Sequence, residues 1–302
     1  MLDLITVGNI SADLFFRTDN LTKKDGRYLL ALGGKYVMDD FEMHVGGGGA
    51  NVAIGCRKLG LKTAVVGMIG NNPFRKGILD RLEKSKVSTK YTLFNQTDTS
   101  VSVILLDPRG ELWTKIVRSP RRHTSAEKHI LRVVKNTRAV YMGHMPDSAL
   151  EYRLLAMERL RKRGTFIVVN FGKRDSALPR EQTDAVLGLT DMLILNTYEF
   201  SQLIRKPVEK INFKKSVLPF VPVMHDKIIV VTAAAEGSYA YHGDRVYFQR
   251  AIKPKVIVDT TGAGDGYTAG FLSSYLKHED IVQAMKSGAR YASKIIAHIG
   301  AN

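Results

Sequence analysis

From Ala139 onward, short apolar runs alternate with helical patterns, and this rhythm constrains the fold more than any other feature of the chain. Ala139–Met142, Phe166–Val169, Met192–Leu195 and Lys227–Thr232 read as strands, with helical patterns over Ala149–Lys162 and Arg180–Leu189 between them. Leu4–Gly8 and Thr63–Ile69 are earlier runs of the same kind. Strands without a polar face belong to a buried, parallel sheet, and each parallel crossover lays a helix on it. The expected architecture is α/β, a three-layer α/β/α sandwich around a mostly parallel sheet. Ser238–Tyr241 and Arg245–Phe248 read as a hairpin, and Tyr267–Lys277 and Ile281–Ile296 as closing helices.

Two regions break the rhythm. Asp13–Thr18 and Tyr28–Met43 carry mixed alternation, suited to strands or loops outside the main sheet. Ser102–Leu106 and Leu112–Ile116 flank Asp107-Pro108-Arg109-Gly110, whose residue types suit a hairpin turn. Together, residues from about 12–44 and 95–118 read as a small β lid. No repeat, low-complexity run or linker divides the chain, so the lid is an excursion from one domain over residues 1–302. Between the two lid regions, Val52–Leu59 reads as a helix closed by Gly60, and Asn71-Asn72-Pro73 opens another that ends near Lys84.

Composition narrows the setting. A single cysteine, Cys56, excludes an intramolecular disulfide and a cysteine-based zinc cluster, and fits a reducing, cytoplasmic compartment. The first residues, MLDLITVGN, read as a strand, and no stretch has the apolar length of a membrane span. The net charge of +16 attracts polyanions, from nucleic acid to phosphorylated metabolites. Its clusters, Arg118–His123, Arg159–Arg163, Lys206–Lys215 and Arg250–Lys255, do not interleave with aromatics. They read as solvated faces, and nucleic acid is not the expected partner.

The chemistry concentrates in Asp259–Phe271. The apolar run Val256-Ile257-Val258 leads into Gly262-Ala263-Gly264, which feeds a helix start and so presents free backbone N–H groups at the positive end of a helix dipole. That arrangement holds an anion. A carboxylate inside it, Asp265, is out of place unless the site needs a base, although aspartate is also favoured as an ordinary helix cap. A second glycine loop, Gly46–Asn51, lacks the spacing of a dinucleotide fingerprint, and no G-x-x-x-x-G-K-[ST] occurs anywhere.

With both loops in view, the chain resembles the ribokinase-like, PfkB-type family of carbohydrate and nucleoside kinases. The resemblance runs from Val7 to Ala301 and rests on three motifs in order. D-T-x-G-A-G-D-x-x-x-A-G-F is matched by Asp259–Phe271, G-G-x-G-A-N-x-A by Gly46–Ala53, and N-x-x-E by Asn196–Glu199. The resemblance implies ATP as phosphoryl donor, with Asp265 as the base that takes a proton from the acceptor hydroxyl. It implies Gly262, Ala263 and Gly264 as an anion hole for the transferring group. Asp13, Gly47, Gly49 and Asn51 match positions that hold the acceptor's hydroxyls. Asn196 and Glu199 match the pair that organises Mg2+ and the ATP phosphates through water. Thr232 and Gly237 match a strand-end loop beside ATP. Asp259 and the Thr261 carbonyl fall where many members bind a monovalent cation, usually K+, and Ala297–Ala301 would complete that site.

Departures from the family pattern bear on the acceptor. Gly48 stands where lysine is frequent, Arg75 and Ala234 replace glycines, and the D-x-N-x-R pattern survives only as Asn170-Phe171-Gly172-Lys173-Arg174. Arg174 is a candidate acceptor contact or a plain surface residue, and His144 stands towards the expected cleft. Phe15, Phe16, Val103, Leu105 and Trp113 would leave an apolar lid face, which in such families often closes a homodimer. The expected activity is phosphorylation of a primary hydroxyl of a sugar or sugar acid. A nucleoside acceptor is the alternative, and a non-catalytic nucleotide or nucleic-acid binding protein is the reading from a different class.

Overall fold

In chain order the first strands are β1 (Leu2–Val7), β2 (Ser11–Arg17), β3 (Thr22–Lys24), β4 (Arg27–Leu29), β5 (Asp40–Gly46), β6 (Thr63–Val66), β7 (Met68–Ile69) and β8 (Leu93–Phe94). They are followed by β9 (Ser100–Leu106), β10 (Leu112–Arg118), β11 (Thr137–Met142), β12 (Phe166–Val169), β13 (Met192–Asn196), β14 (Ile228–Thr232), β15 (Gly237–His242) and β16 (Arg245–Arg250). The computed structural model describes residues 1–25, 27–94, 99–106, 112–118, 137–143 and 150–302. The expected turn Asp107–Gly110, the basic run from Ser119 to His123, His144, and the side chains of Trp113 and Arg174 lie outside what is described.

Eight strands form the main sheet in the order β6-β1-β11-β12-β13-β14-β15-β16. All pairs are parallel up to β14, and the hairpin β15–β16 adds two antiparallel strands at one edge. The strands' own alternation makes the three layers. Ile5, Val7, Val140, Met142, Leu193 and Leu195 pack on one side against Met157, Val186 and Phe200 of the helices Leu150–Arg161, Arg180–Gly188 and Thr197–Ile204. Leu4, Tyr141, Val168, Ile194 and Val230 pack on the other against Val52, Phe271 and Met285 of the helices Gly48–Lys58, Ala263–His278 and Ile281–Ile295. Burying each of these large side chains contributes about 1.5–3 kcal/mol, which is why the strands tolerate so few polar residues.

A second, four-stranded sheet, β10-β9-β2-β5, stands apart from the first. Because neighbours along a strand point to opposite faces, Phe15 and Phe16 cannot share one. This corrects the apolar lid face inferred from the sequence. Phe15 is buried with Ile104 and Leu106 against Ile299, on the face that also carries Ser11 and Asp13. Phe16 is on the opposite face, registered with Phe41 and Leu105, and next to Leu14, Met43 and Val103.

Two further expectations change in detail. The first helix begins at Gly48 rather than Val52, because Gly47 caps it at φ 90° with its Cα against the Asn9 backbone, where a Cβ would lie 2.7 Å from Asn9 C. Thr63–Ile69 is not one strand: it breaks at Gly67, where any Cβ would meet Ile10 Cδ1 at 2.8 Å. Val256 and Ile257 are exposed and outside any strand.

Candidate active site

The two glycine loops meet. Asn51, in the first helix turn after Gly47, donates from Nδ2 to Asp265 Oδ2 at 2.7 Å. A Cβ at Gly48 would stand 3.4 Å from Asp265 Oδ1, so position 48 also faces the carboxylate. Asp265 lies in the first turn of Ala263–His278, whose cap Gly262 is left-handed at φ 75°. That turn is held against the last residues described, since a Cβ on Gly262 would lie 2.8 Å from Ala301 Cα. Gly264 is different: nothing lies within 4 Å of a Cβ built there. The first-turn amides have no carbonyl four residues back to bind. The Ala263 amide donates instead to the Thr260 carbonyl at 3.2 Å, and the turn as a whole presents the helix's partial positive charge beside Asp265.

Asp13 is buried on the second sheet, accepting from Ser11 Oγ at 2.9 Å. Gly46 lies so close that any Cβ there would stand on the Asp13 carboxylate, so this glycine is what lets the acid sit in the strand. Ser102 is registered opposite Asp13 in β9, and Ser100 Oγ donates to Asn9 Oδ1 at 2.9 Å. One end of this sheet face is thus polar and the other, around Phe15, apolar.

Asn196 and Glu199 form a reciprocal capping box. Asn196 Oδ1 accepts from the Glu199 amide at 2.8 Å, and Glu199 Oε2 from the Asn196 amide at 3.0 Å. The motif's spacing is therefore accounted for by helix capping, and its role towards a metal rests on position. Tyr141 is fully buried in β11: burial, then the charges of Asp265 and Glu199, push its hydroxyl well above the ordinary tyrosine range. Among the described residues no three His, Cys, Asp or Glu gather as a metal cage. A magnesium ion bound mainly by phosphates and water needs none.

Thr232 ends β14 and Gly237 opens β15, on either side of the turn at Ala234–Glu236. A groove of about 1100 Å³ opens there, lined by Ala235, Glu236, Tyr239, Phe248, Arg250 and Lys253 among others. Asp259 is buried, and its two oxygens accept from the amides of Thr261 at 2.8 Å and Gly300 at 3.0 Å. The acid thereby ties the start of the Thr261–Gly264 loop to the Ala297–Ala301 segment. Thr261 Oγ1 is buried beside it with no hydrogen-bond partner among the described residues. An orphaned hydroxyl next to a buried carboxylate fits a cation.

Sequence reasoning missed Asn302 and Arg81. Asn302 Nδ2 donates to Asn51 Oδ1 at 2.9 Å and to the Val45 carbonyl at 2.7 Å, and Arg81 Nη2 donates to the main-chain oxygen of Asn302 at 2.9 Å. Nothing in a helix rich in Lys and Arg marks Arg81 out. Of the weakened D-x-N-x-R stretch, Asn170 donates to the Ile194 carbonyl at 2.6 Å, which joins strand ends.

A protein-family model described as "pfkB family carbohydrate kinase" matches residues 1–302. Among curated proteins, a 5-dehydro-2-deoxygluconokinase of Geobacillus thermodenitrificans is 28% identical, over 85% of this chain and 80% of its own. The ribokinase of Arabidopsis thaliana is 26% identical, over 99% of this chain and 77% of its own. Among solved structures, the nucleoside kinase of Methanocaldococcus jannaschii, described as an archaeal member of the ribokinase family, superposes with a TM-score of 0.78 at 21% identity. It covers 100% of this chain and 93% of its own.

Proposed function

The chain belongs to the pfkB family of carbohydrate kinases and is an ATP-dependent kinase of the sugar and nucleoside kind, and from that premise we propose that it phosphorylates a primary hydroxyl of a sugar. Asp265 takes the proton of that hydroxyl as its oxygen attacks the γ-phosphorus of ATP. The new O–P bond forms as the bond to the β,γ-bridging oxygen breaks and ADP leaves. The amides of the Gly262–Gly264 turn stabilise charge on the transferring group. The observation that carries the reading is the 2.7 Å bond from Asn51 to Asp265. It joins the loop assigned to the acceptor to the loop assigned to the phosphate at the atom that must accept the proton.

Asp13, Gly47, Gly49 and Asn51 would hold the acceptor's other hydroxyls, and the polar end of the second sheet supports that role. Arg174 remains a candidate acceptor contact by position in the chain. Asn196 and Glu199 would hold Mg2+ through water, where the ion supplies neutralising charge to the phosphates. Thr232, Gly237 and the groove beside them would take the nucleoside part of ATP. Asp259, Thr261 and the segment after Ala297 would hold K+, a reading supported by the unpartnered Thr261 hydroxyl.

A nucleoside acceptor is the second reading. Leu30, Leu32 and Val37, exposed between β4 and β5, would supply the apolar wall a base requires. We further propose a homodimer closed through the second sheet, because Phe41 and Met43 stay 56% and 36% exposed on the face carrying Phe16 and Leu105. A coupled ADP-release assay over ribose, fructose, ketodeoxygluconate, adenosine, cytidine and inosine tests the function. A sugar or sugar acid as best acceptor supports the first reading and a nucleoside the second. No acceptor at all, with nucleic acid bound at physiological salt, would sink both.

A further inference from the structure

Along one side of the Ile281–Ile295 helix, Ser287, Arg290, Tyr291 and Lys294 recur at helical spacing, with His298 just beyond. With Lys58 and Leu59 at the end of the Gly48–Lys58 helix, they line a cavity of about 520 Å³, whose remaining wall includes Gly300 and Asn302. This size falls within the range of small-ligand sites, roughly 300–1,000 Å³. Tyr291, Ile295 and Gly300 are buried at its base, whereas Lys58, Arg290, Lys294 and His298 stand at its rim. Among the described residues, Lys58, Arg290 and Lys294 have no carboxylate within ion-pair reach, and the lining contains no acid. Partial burial, and then the neighbouring charges of Arg81 and Lys294, hold the Lys58 ammonium below its ordinary range. Like charges gathered in a concavity destabilise the fold until an anion answers them.

We propose that this cavity, which is lined by none of the residues assigned to the acceptor, the transferring phosphate or ATP and shares only the Ala297–Ala301 segment with the proposed cation site, is a second anion site that binds a small phosphate-bearing molecule. The Arg290 guanidinium suits a phosphate's paired oxygens, and Lys58 and Lys294 supply point charges from the opposite helix and the next turn. Tyr291 and Leu59 give an apolar floor for an organic moiety. Burial pushes the Tyr291 hydroxyl up to about 12, so it stays protonated as a donor.

The test is calorimetric titration of the full chain with inorganic pyrophosphate and, separately, glucose 6-phosphate. A saturating non-hydrolysable ATP analogue keeps the catalytic anion loop filled. The wild type should bind one equivalent, and Lys58→Ala/Lys294→Ala should bind on the order of a hundredfold more weakly, about tenfold for each charged hydrogen bond lost. Tighter binding of glucose 6-phosphate marks an organic phosphate as the ligand, and tighter binding of pyrophosphate an inorganic one. Both substituted lysines are exposed, so the variant should fold, and Arg290→Ala gives an independent reading of the same loss. The proposal is overturned if neither probe binds the wild type, or if both variants bind as the wild type does. It is equally overturned if only a short single-stranded RNA binds, which would make the patch a nucleic-acid surface.

Discussion

Asn51 donates its amide to Asp265 across 2.7 Å, joining residues 214 positions apart in the chain. Asn51 is itself held by Asn302, and Asn302 by Arg81. The carboxylate assigned as base is therefore oriented by a run of side chains from three parts of the chain. A merely capping aspartate at a helix start would need none of this.

The first prediction follows from that geometry. Asp265→Asn keeps the shape and an oxygen that Asn51 can still reach, but cannot take a proton. Turnover should fall on the order of 10²–10⁴-fold, while ATP affinity and the melting midpoint stay near those of the wild type. Steady-state rates with the best acceptor, together with a nucleotide titration, check this. Retained turnover would remove Asp265 from the role.

Asn51→Asp makes the complementary case. It sets a second carboxylate against Asp265, and two like charges at hydrogen-bond distance cannot both ionise freely, so the pair retains a proton to higher pH. A base that holds a proton is inactive. The acidic limb of the rate profile should therefore move upward, with activity lost at low pH and recovered as pH rises. A profile of kcat/KM that superposes on the wild type would show that the two side chains do not interact in solution.

How much of this was legible depends on range. The runs Phe166–Val169 and Met192–Leu195 declare themselves because burial on both sides leaves them without polar positions. Gly262 and Asp265, whose proposed roles are local, stand out equally through motif spacing. What stays hidden is set by tertiary contact. The helix start at Gly48 depends on the Asn9 backbone, and which of Phe15 and Phe16 is buried depends on the face that Ile299 covers. Arg81 has no local signal because its partner is 221 residues away. Asn196 and Glu199 are a warning in the other direction, since the spacing that suggests a metal pair is satisfied by a capping box.

A stability prediction concerns the turn after β12. Arg153 Nη1 donates to Asp175 Oδ1 at 2.8 Å, with both side chains buried, and Asp175 Oδ2 accepts from the Gly172 amide at 3.1 Å. Arg153→Leu takes this buried cation away from a buried carboxylate and should cost about 3–5 kcal/mol. Arg153→Leu/Asp175→Leu should recover part of that loss, because it removes the buried carboxylate as well. Urea unfolding of both variants reads the difference. Equal destabilisation would mean that the pair acts by packing and not by charge.

The proposed dimer gives a prediction about mass. Among the described residues, Phe41 is the most exposed large side chain on its face of the second sheet, so Phe41→Asp places a charge within the proposed contact. Light scattering should read a dimer for the wild type and a monomer for the variant. A monomeric wild type would end the proposal.

The sharpest test of the anion hole is Gly264→Ala, because stability and activity should move in opposite directions. Gly264 lies inside a helix, and nothing stands within 4 Å of a Cβ built on it. Alanine there should therefore stabilise the fold by roughly 0.5–1 kcal/mol, through the lower entropy of the unfolded chain. If the transferring phosphate approaches this backbone, however, the same methyl occupies its path and holds it off the first-turn amides. Losing one such donor costs on the order of 10²–10³-fold in kcat. The expected result is a higher melting midpoint with kcat reduced on that order, and acceptor KM little changed because Asp13 and Asn51 are untouched. Gly262→Ala supplies the contrast. Its φ of 75° and its contact with Ala301 make any side chain strained, so it should lose stability and activity together. Undiminished kcat in a stabilised Gly264→Ala variant would mean that the phosphoryl group is held elsewhere.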